Sequence, residues 1–263
     1  NVCGNTVNKE IDEKSPIRKW SNRYRIDAQK TEENRKGYTF ADFFCGAGGL
    51  SLGFDHEGFK LSLANDIQQC CIDTYTFNHP ETPQKHIVAG DINDVYKNIE
   101  ELLRFKNTDV VIGGHPCQGF SMANRQRLID DPRNHLYKSY INVIDKIKPT
   151  FIVMENVRGM LHVVDQIKED FKAIGYEVSV RLLNAKDFGT PQSRERVIFI
   201  GNRLGIDNDS VFDRIINESR NIRKHVLGDA IIDLPDLVAK KVKNNTDLEN
   251  DDIGYTIKKK KNG

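Results

Sequence analysis

"YTFADFFCGAGGLSLGF", residues 38–54, decides how the chain is read. Its first part, YTFADFF (38–44), is apolar and aromatic, the composition of a strand covered on both faces. Glycines follow at 46, 48 and 49. They let the chain turn tightly and bring its backbone close to a ligand. A helical pattern starts near Leu50. Strand, glycine turn and helix in succession open a βαβ unit. The turn reads G-x-G-G rather than G-x-G-x-x-G, which disfavours a dinucleotide. No Lys-Ser/Thr pair follows it, so it is not a phosphate-cradling loop.

The same alternation continues downstream. KLSLAND (60–66), the segment within KHIVAGDI (85–92), DVVIGG (109–114) and TFIVMENV (150–157) read as further strands. Between them IQQCCIDTYTFN (67–78), VYKNIEELLRF (95–105) and HLYKSYINVIDKIK (135–148) read as helices, the last ended by Pro149. QIKEDFKAIGY (166–176) is a helix stopped by Gly175. EVSVRLLNA (177–185) and RVIFIGN (196–202) lie too close together for a crossover helix and are expected to pair antiparallel. The expected fold is α/β, a mostly parallel sheet with one antiparallel strand near the C-terminal end. Residues 1–37 read as a charged arm or linker, 38–205 as the main domain, and 206–263 as a polar region holding a short helix and turn at VLGDAIIDLPDL (226–237).

Composition narrows the function. Net charge is +1, so a nucleic-acid surface has to be local rather than global. The closing KKKKNG reads as a solvated tail. No apolar run approaches the roughly 20 residues of a membrane span. The first residues, NVCGNTVNKEIDEKSP, lack the apolar core of a signal peptide. Nothing in these features directs the chain out of the cytoplasm, and a cytoplasmic protein is the expectation. The five cysteines show no CxxC spacing, which argues against zinc, and no metal is expected.

Ligands of such sheets bind beyond the carboxyl ends of the strands, at the topological switch point, and the chemistry-bearing residues collect there. Asp66 falls 20 residues after Gly46, at the end of the second strand, where a carboxylate accepts from ribose hydroxyls. Asp91 ends the third strand and could accept from an adenine amino group. GGHPCQGFS (113–121) follows the fourth. Cys117 there reads either as a nucleophile or as a small apolar filler. Pro116 stiffens its approach, and Gly113, Gly114 and Gly119 keep bulk away. Glu155 ends the fifth strand, as a partly buried proton-carrying carboxylate or as a structural partner of an arginine. Arg194 and Arg196, two apart at a strand start, share a face and suit a carboxylate or phosphate, or form surface ion pairs.

DFFCGAGGLSLGF, GGHPCQGFS, MENVRG and FGTPQSRERVIFIG, in this order and spacing, resemble the motifs of DNA (cytosine-5)-methyltransferases over about residues 38–202. The resemblance implies a Rossmann-like, S-adenosylmethionine-dependent methyltransferase fold, with S-adenosylhomocysteine as product. It implies that Phe44 stacks on the adenine and that the loop Gly46, Gly48, Gly49 and Leu50 passes the methionine moiety. Asp66 and Ile67 would serve ribose and adenine, and Asp91 and Ile92 the adenine edge and face. Pro116 and Leu136 would complete the pocket. Cys117 would be the nucleophile and Glu155 the proton-handling carboxylate. Arg194 would meet the flipped cytosine, with Asn156, Gln192 and Arg196 in support. The implied reaction is methyl transfer to carbon 5 of a flipped cytosine in double-stranded DNA, in a restriction-modification setting. Residues 118–135, with Arg125, Arg127 and Arg133, would form a loop closing over the base. An RNA cytosine-5 methyltransferase and a catalytically silent binding subunit are the competing readings.

The chain also departs from the family pattern. A target-recognition region and a GNSV-like segment normally follow the arginine motif, and the chain ends at Gly263. CGNTV stands instead at residues 3–7. The expectation is a permuted motif order, a split enzyme whose second polypeptide supplies recognition, or a chain lacking its C-terminal part. His115 stands just before Pro-Cys, where the family often has an aromatic; it either tunes the thiol or packs.

Overall fold

The computed structural model describes residues 37–116, 135–231, 237–239 and 255–257. Strand β1 (Thr39–Phe43) is buried along its whole length, and this is why it carries no polar alternation. It lies between β2 (Lys60–Asp66) and β4 (Val110–Gly113), parallel to both. β3 (Ile87–Ala89) extends the sheet beyond β2, and β5 (Phe151–Asn156) lies beyond β4. β7 (Glu195–Asn202) runs antiparallel between β5 and β6 (Glu177–Asn184). The order is β3-β2-β1-β4-β5-β7-β6, seven strands with β7 the reversed one, as its closeness to β6 in the chain requires. A separate two-stranded piece pairs β8 (Leu237–Ala239) with β9 (Tyr255–Ile257).

Two apolar clusters cover the two faces. On one, Ala41 and Phe43 pack with Leu63, Val111, Tyr140, Ile152 and Phe199 under helices α3 (Ile92–Lys97), α5 (His135–Ile147) and α6 (Val164–Ala173). On the other, Phe40 packs with Leu61, Ala64, Ile72, Tyr75 and Ile112. Helices α1 (Ser51–His56) and α2 (Gln69–Asn78) cover that side. Each large side chain so buried stabilises the fold by roughly 1.5–3 kcal/mol before its ordering entropy is set against it. Strand alternation puts Asp42 on the same face as Phe40, buried beneath α1 and α2.

Local chemistry places the element ends. Asp91 caps α3 and Asp207 caps α7 (Asn208–Ser219), each accepting a backbone N–H from two residues on. Gly175 takes φ +89° after α6. Two expectations change. VYKNIEELLRF is not one helix, because α3 ends at Lys97 and a short α4 (Ile99–Leu102) follows. Asn98 sits between them, its side chain donating to Asp94 O in competition with the helix ladder. Helix α7 lies in the polar region where the only helix expected was the short one at 226–237; Phe212, the most buried of its apolar residues, packs against the sheet with Arg181 over its ring. VLGDAIIDLPDL contributes α8 (Leu227–Ile231). No helix among the described residues is long and apolar enough to cross a membrane.

Candidate active site

The sheet order reverses between β1 and β4, so the loops leaving these two strands flank the switch point. The loop after β1 is sharply bent. Phe44 holds φ +59°, which only a tightly constrained non-glycine adopts, and Gly46 and Gly48 hold φ +55° and +90°. The bend is fastened to β2: Gly46 N donates to Asp66 Oδ2 at 3.0 Å. Gln68 N donates to Asp66 Oδ1 at 2.8 Å. Each carboxylate oxygen keeps a lone pair for a further donor. Beside it Ile67 is 64% exposed, an uncovered apolar face next to an acceptor. Gly46 and Gly49 have open space where a side chain would be.

Asp91 reaches the same edge by another device. Buried Asn65 donates to Val88 O and Gly90 O, both at 3.0 Å, tying β2 to the turn that presents Asp91. Asp91 Oδ1 accepts from Asn93 N and Nδ2. Ile92 turns inward and is 3% exposed in the core, whereas Ile67 is open. Leu50 and Leu136 are half-buried against the two clusters.

The loop after β4 is shaped by what stands around it. A methyl on Gly113 would meet Phe43 O at 2.7 Å and the Tyr140 ring at 3.0 Å. One on Gly114 would lie 3.0 Å from Glu155 Oε2. Position 113 therefore requires glycine, and a side chain at Gly114 would press on the Glu155 carboxylate. Asn156 Nδ2 donates to His115 O at 3.1 Å and fixes the loop from β5. His115 is buried among the rings of Phe44, Tyr137 and Tyr140. Burial lowers its imidazole to about 4, so at neutral pH it is uncharged and supplies no positive potential to the loop. Pro116 is exposed. Cys117, and the loop residues Arg125, Arg127 and Arg133, lie outside the described residues.

Glu155 is held by an arginine, and that arginine is Arg196: Nε lies 2.6 Å from Glu155 Oε1, both side chains partly exposed. The neighbouring Glu195 pairs with Arg158 at 3.0 Å. Arg194 is exposed, its backbone N–H donating to Asn184 Oδ1 at 3.0 Å. Gln192 is likewise exposed. Glu155 and Arg196 thus come together with the loop after β4, while Arg194 and Gln192 remain at the rim.

Three features were not anticipated. Asp42 is buried and accepts from Ser51 Oγ at 2.6 Å, and Tyr75 Oη donates to Ser51 Oγ at 2.6 Å. Burial raises its carboxyl to about 7, against the Ser51 hydrogen bond, with Asp55 and Asp66 adding like charge. Asn65, buried in β2, carries no motif around it that marks its bracing role. His79, buried, stands beside Asp55 and Glu81, and one ligand-type atom from each of the three lies within 4.8 Å of the others.

The sheet, the bent glycine loop and the acidic strand ends define a Rossmann-like methyltransferase fold. The family profile of the C-5 cytosine-specific DNA methylases matches residues 38–263, and the chain belongs to that family. It is 39% identical over 209 residues to the Type II methyltransferase M1.HphI of Haemophilus parahaemolyticus, covering 76% of this chain and 54% of that protein. To M.FnuDI of Fusobacterium nucleatum it is 40% identical over 198 residues, covering 73% and 54%. The chain thus spans about half the length of these relatives. Among solved structures, an E. coli prophage-encoded protein described as a DNA modification methyltransferase superposes with a TM-score of 0.64 at 30% identity, over 86% of this chain and 62% of that one. Spodoptera frugiperda DNMT2 superposes at 0.52 and 24% identity, covering 65% and 51%, a likeness of fold.

Proposed function

We propose that this chain carries the catalytic part of an S-adenosylmethionine-dependent DNA (cytosine-5)-methyltransferase of the restriction-modification type. The observation that carries the reading is Glu155, clamped by Arg196 and set against Gly114 in the loop that leads to Cys117. A carboxylate so placed can hold a proton or a strong hydrogen bond at ring nitrogen 3 of a cytosine. The thiolate of Cys117 then adds to carbon 6, and carbon 5 becomes nucleophilic. Loss of the carbon-5 proton and of the thiol restores the ring. Arg194, at the rim, would meet the flipped base. The cofactor, when bound, supplies the methyl group at carbon 5. The residues present fit it: Asp66 retains acceptor capacity for ribose hydroxyls, Ile67 offers an apolar face, and Gly46 and Gly49 leave space for its methionine end. Asp91 would accept from the adenine amino group, with Phe44 and Pro116 along the pocket.

On this reading residues 38–205 are the catalytic domain and 206–263 begin a recognition region, completed by further chain or by a second polypeptide. Double-stranded DNA is the substrate. The test is methyl transfer from labelled cofactor to duplex DNA and to tRNA, with any adjacent encoded recognition subunit added. Transfer to duplex DNA, abolished in Cys117→Ser, supports the reading. A preference for tRNA, or equal transfer by Cys117→Ser, refutes it. A covalent adduct with 5-fluorocytosine duplex would exclude a silent binding subunit.

A further inference from the structure

The underside of the glycine loop is closed by two rings. A methyl on Gly48 would lie 3.0 Å from His79 Nε2 and 3.1 Å from two ring carbons of Tyr75. His79 and Tyr75 are stacked, ring centres 4.2 Å apart. Both are buried. The next residue toward the loop, Asn78, donates to Ala47 O at 3.4 Å. The C-terminal end of α2 therefore forms the floor on which Ala47 and Gly48 rest.

That floor is tied to α1. His79 Nδ1 lies 2.8 Å from Asp55 Oδ2, a distance at which the nitrogen carries the hydrogen, since a carboxylate only accepts. Tyr75 is tied to the start of the same helix through Ser51. The helix in turn springs from the loop, Leu52 N donating to Gly48 O at 3.0 Å. Loop, α1 and α2 thus form a closed ring of contacts, with His79 at the joint between the two helices. The loop links this ring to the ligand edge, through Gly46 N donating to Asp66 Oδ2 beside the exposed Ile67. The effect of His79 on a ligand passes through the position of the loop backbone.

We propose that His79, tethered by Asp55, is a positioning residue for the glycine loop, and that this pair sets the affinity for the nucleoside cofactor. The inference rests on the cofactor reading given above. Removing the imidazole leaves a hole beneath Gly48, a residue whose backbone has many other accessible conformations, and the loop then samples ones that do not bind. Asp55→Ala keeps the ring but frees it to swing. Asp55→Asn keeps an acceptor for Nδ1 and restores the tether.

The experiment is calorimetric titration of the full chain with S-adenosylmethionine, beside thermal unfolding of every variant. His79→Ala is expected to weaken binding roughly tenfold, which corresponds to about 1.4 kcal/mol. Asp55→Ala should weaken it by a smaller factor, and Asp55→Asn should stay within about twofold of the wild type. Where transfer is measured, the loss should appear in KM for the cofactor and leave kcat nearly unchanged. Folded variants that bind as the wild type does overturn the inference, because a merely structural role lowers the unfolding temperature without moving affinity. An Asp55→Asn variant as weak as Asp55→Ala also overturns it. So does wild-type affinity that is lost with EDTA and restored by Zn²⁺ or Mg²⁺, which would make Asp55, His79 and Glu81 a metal site. A wild-type chain that binds no S-adenosylmethionine refutes the cofactor reading itself, a result distinct from unaffected variants.

Discussion

Replacing Asp42 by Asn tests the buried electrostatics beneath the glycine loop. The side chain is 1% exposed, and burial raises its carboxyl from an ordinary 3.8 to about 7. The folded state therefore holds a proton that the unfolded chain has released once the pH exceeds about 4. Stability is full below that pH and falls as pH rises to about 7. A tenfold displacement of a proton equilibrium is worth about 1.4 kcal/mol, so the ionised folded protein is weaker by something on the order of 4 kcal/mol. His115 works in the opposite sense. Its imidazole is lowered from 6.5 to about 4, so its contribution is present above 6.5 and is lost as pH falls toward 4. Between these limits the folded protein carries the extra Asp42 proton and lacks the His115 proton, and the two slopes cancel. Asn at position 42 keeps an acceptor for Ser51 and removes the titration. The variant should match wild type near pH 4 and exceed it near pH 8, the gap growing by an amount on the order of 4 kcal/mol. With the Asp42 slope gone, stability of the variant should climb with pH from about 4 to 6.5. Urea unfolding across that range, at constant ionic strength, measures both. A difference between variant and wild type that stays constant with pH would refute the reasoning.

Three other substitutions separate stability from chemistry. His115→Phe keeps an aromatic among Phe44, Tyr137 and Tyr140, and with only the Asp42 slope left its urea midpoint should rise as pH falls from about 6.5 to 4, where the wild type is nearly flat. Gly113→Ala drives a methyl to 2.7 Å from Phe43 O and should cost roughly 1–3 kcal/mol in unfolding free energy, because the nearest atom is backbone. Arg196→Ala should lower methyl transfer by about a hundredfold with little change in unfolding temperature, since the partly exposed Glu155 pair is worth roughly 1 kcal/mol or less to folding. A large drop in unfolding temperature with unchanged transfer would make that pair structural.

What could be read in advance follows from how the information is carried. Parallel strands end where glycine and aspartate interrupt apolar runs, so the succession of strands along the chain, the antiparallel pairing of β6 with β7 and the shared edge of Asp66, Asp91 and Glu155 were legible from residues near one another in the chain, whereas the strand order in the sheet came from the structure. Helix α7 escaped the reading, although Val211, Phe212, Ile215 and Ile216 recur at helical spacing behind Asp207, because its polar surroundings masked the period. Choosing between two arginines was a different matter. Alternation puts Arg194 and Arg196 on one face, and only the register Glu155↔Ile198 decides that Arg196 is the one within reach. The His79–Asp55 pair lies further still from sequence: 24 positions separate the two, and neither belongs to a recognisable motif. Asp42 is the instructive miss. A lone carboxylate in the otherwise apolar YTFADFF has no inexpensive burial, so its presence there already required a hydrogen-bonding partner and a displaced proton. Ser51, nine residues on at the start of α1, is that partner, and the strand–turn–helix reading of residues 38–54 had brought the two within reach of each other.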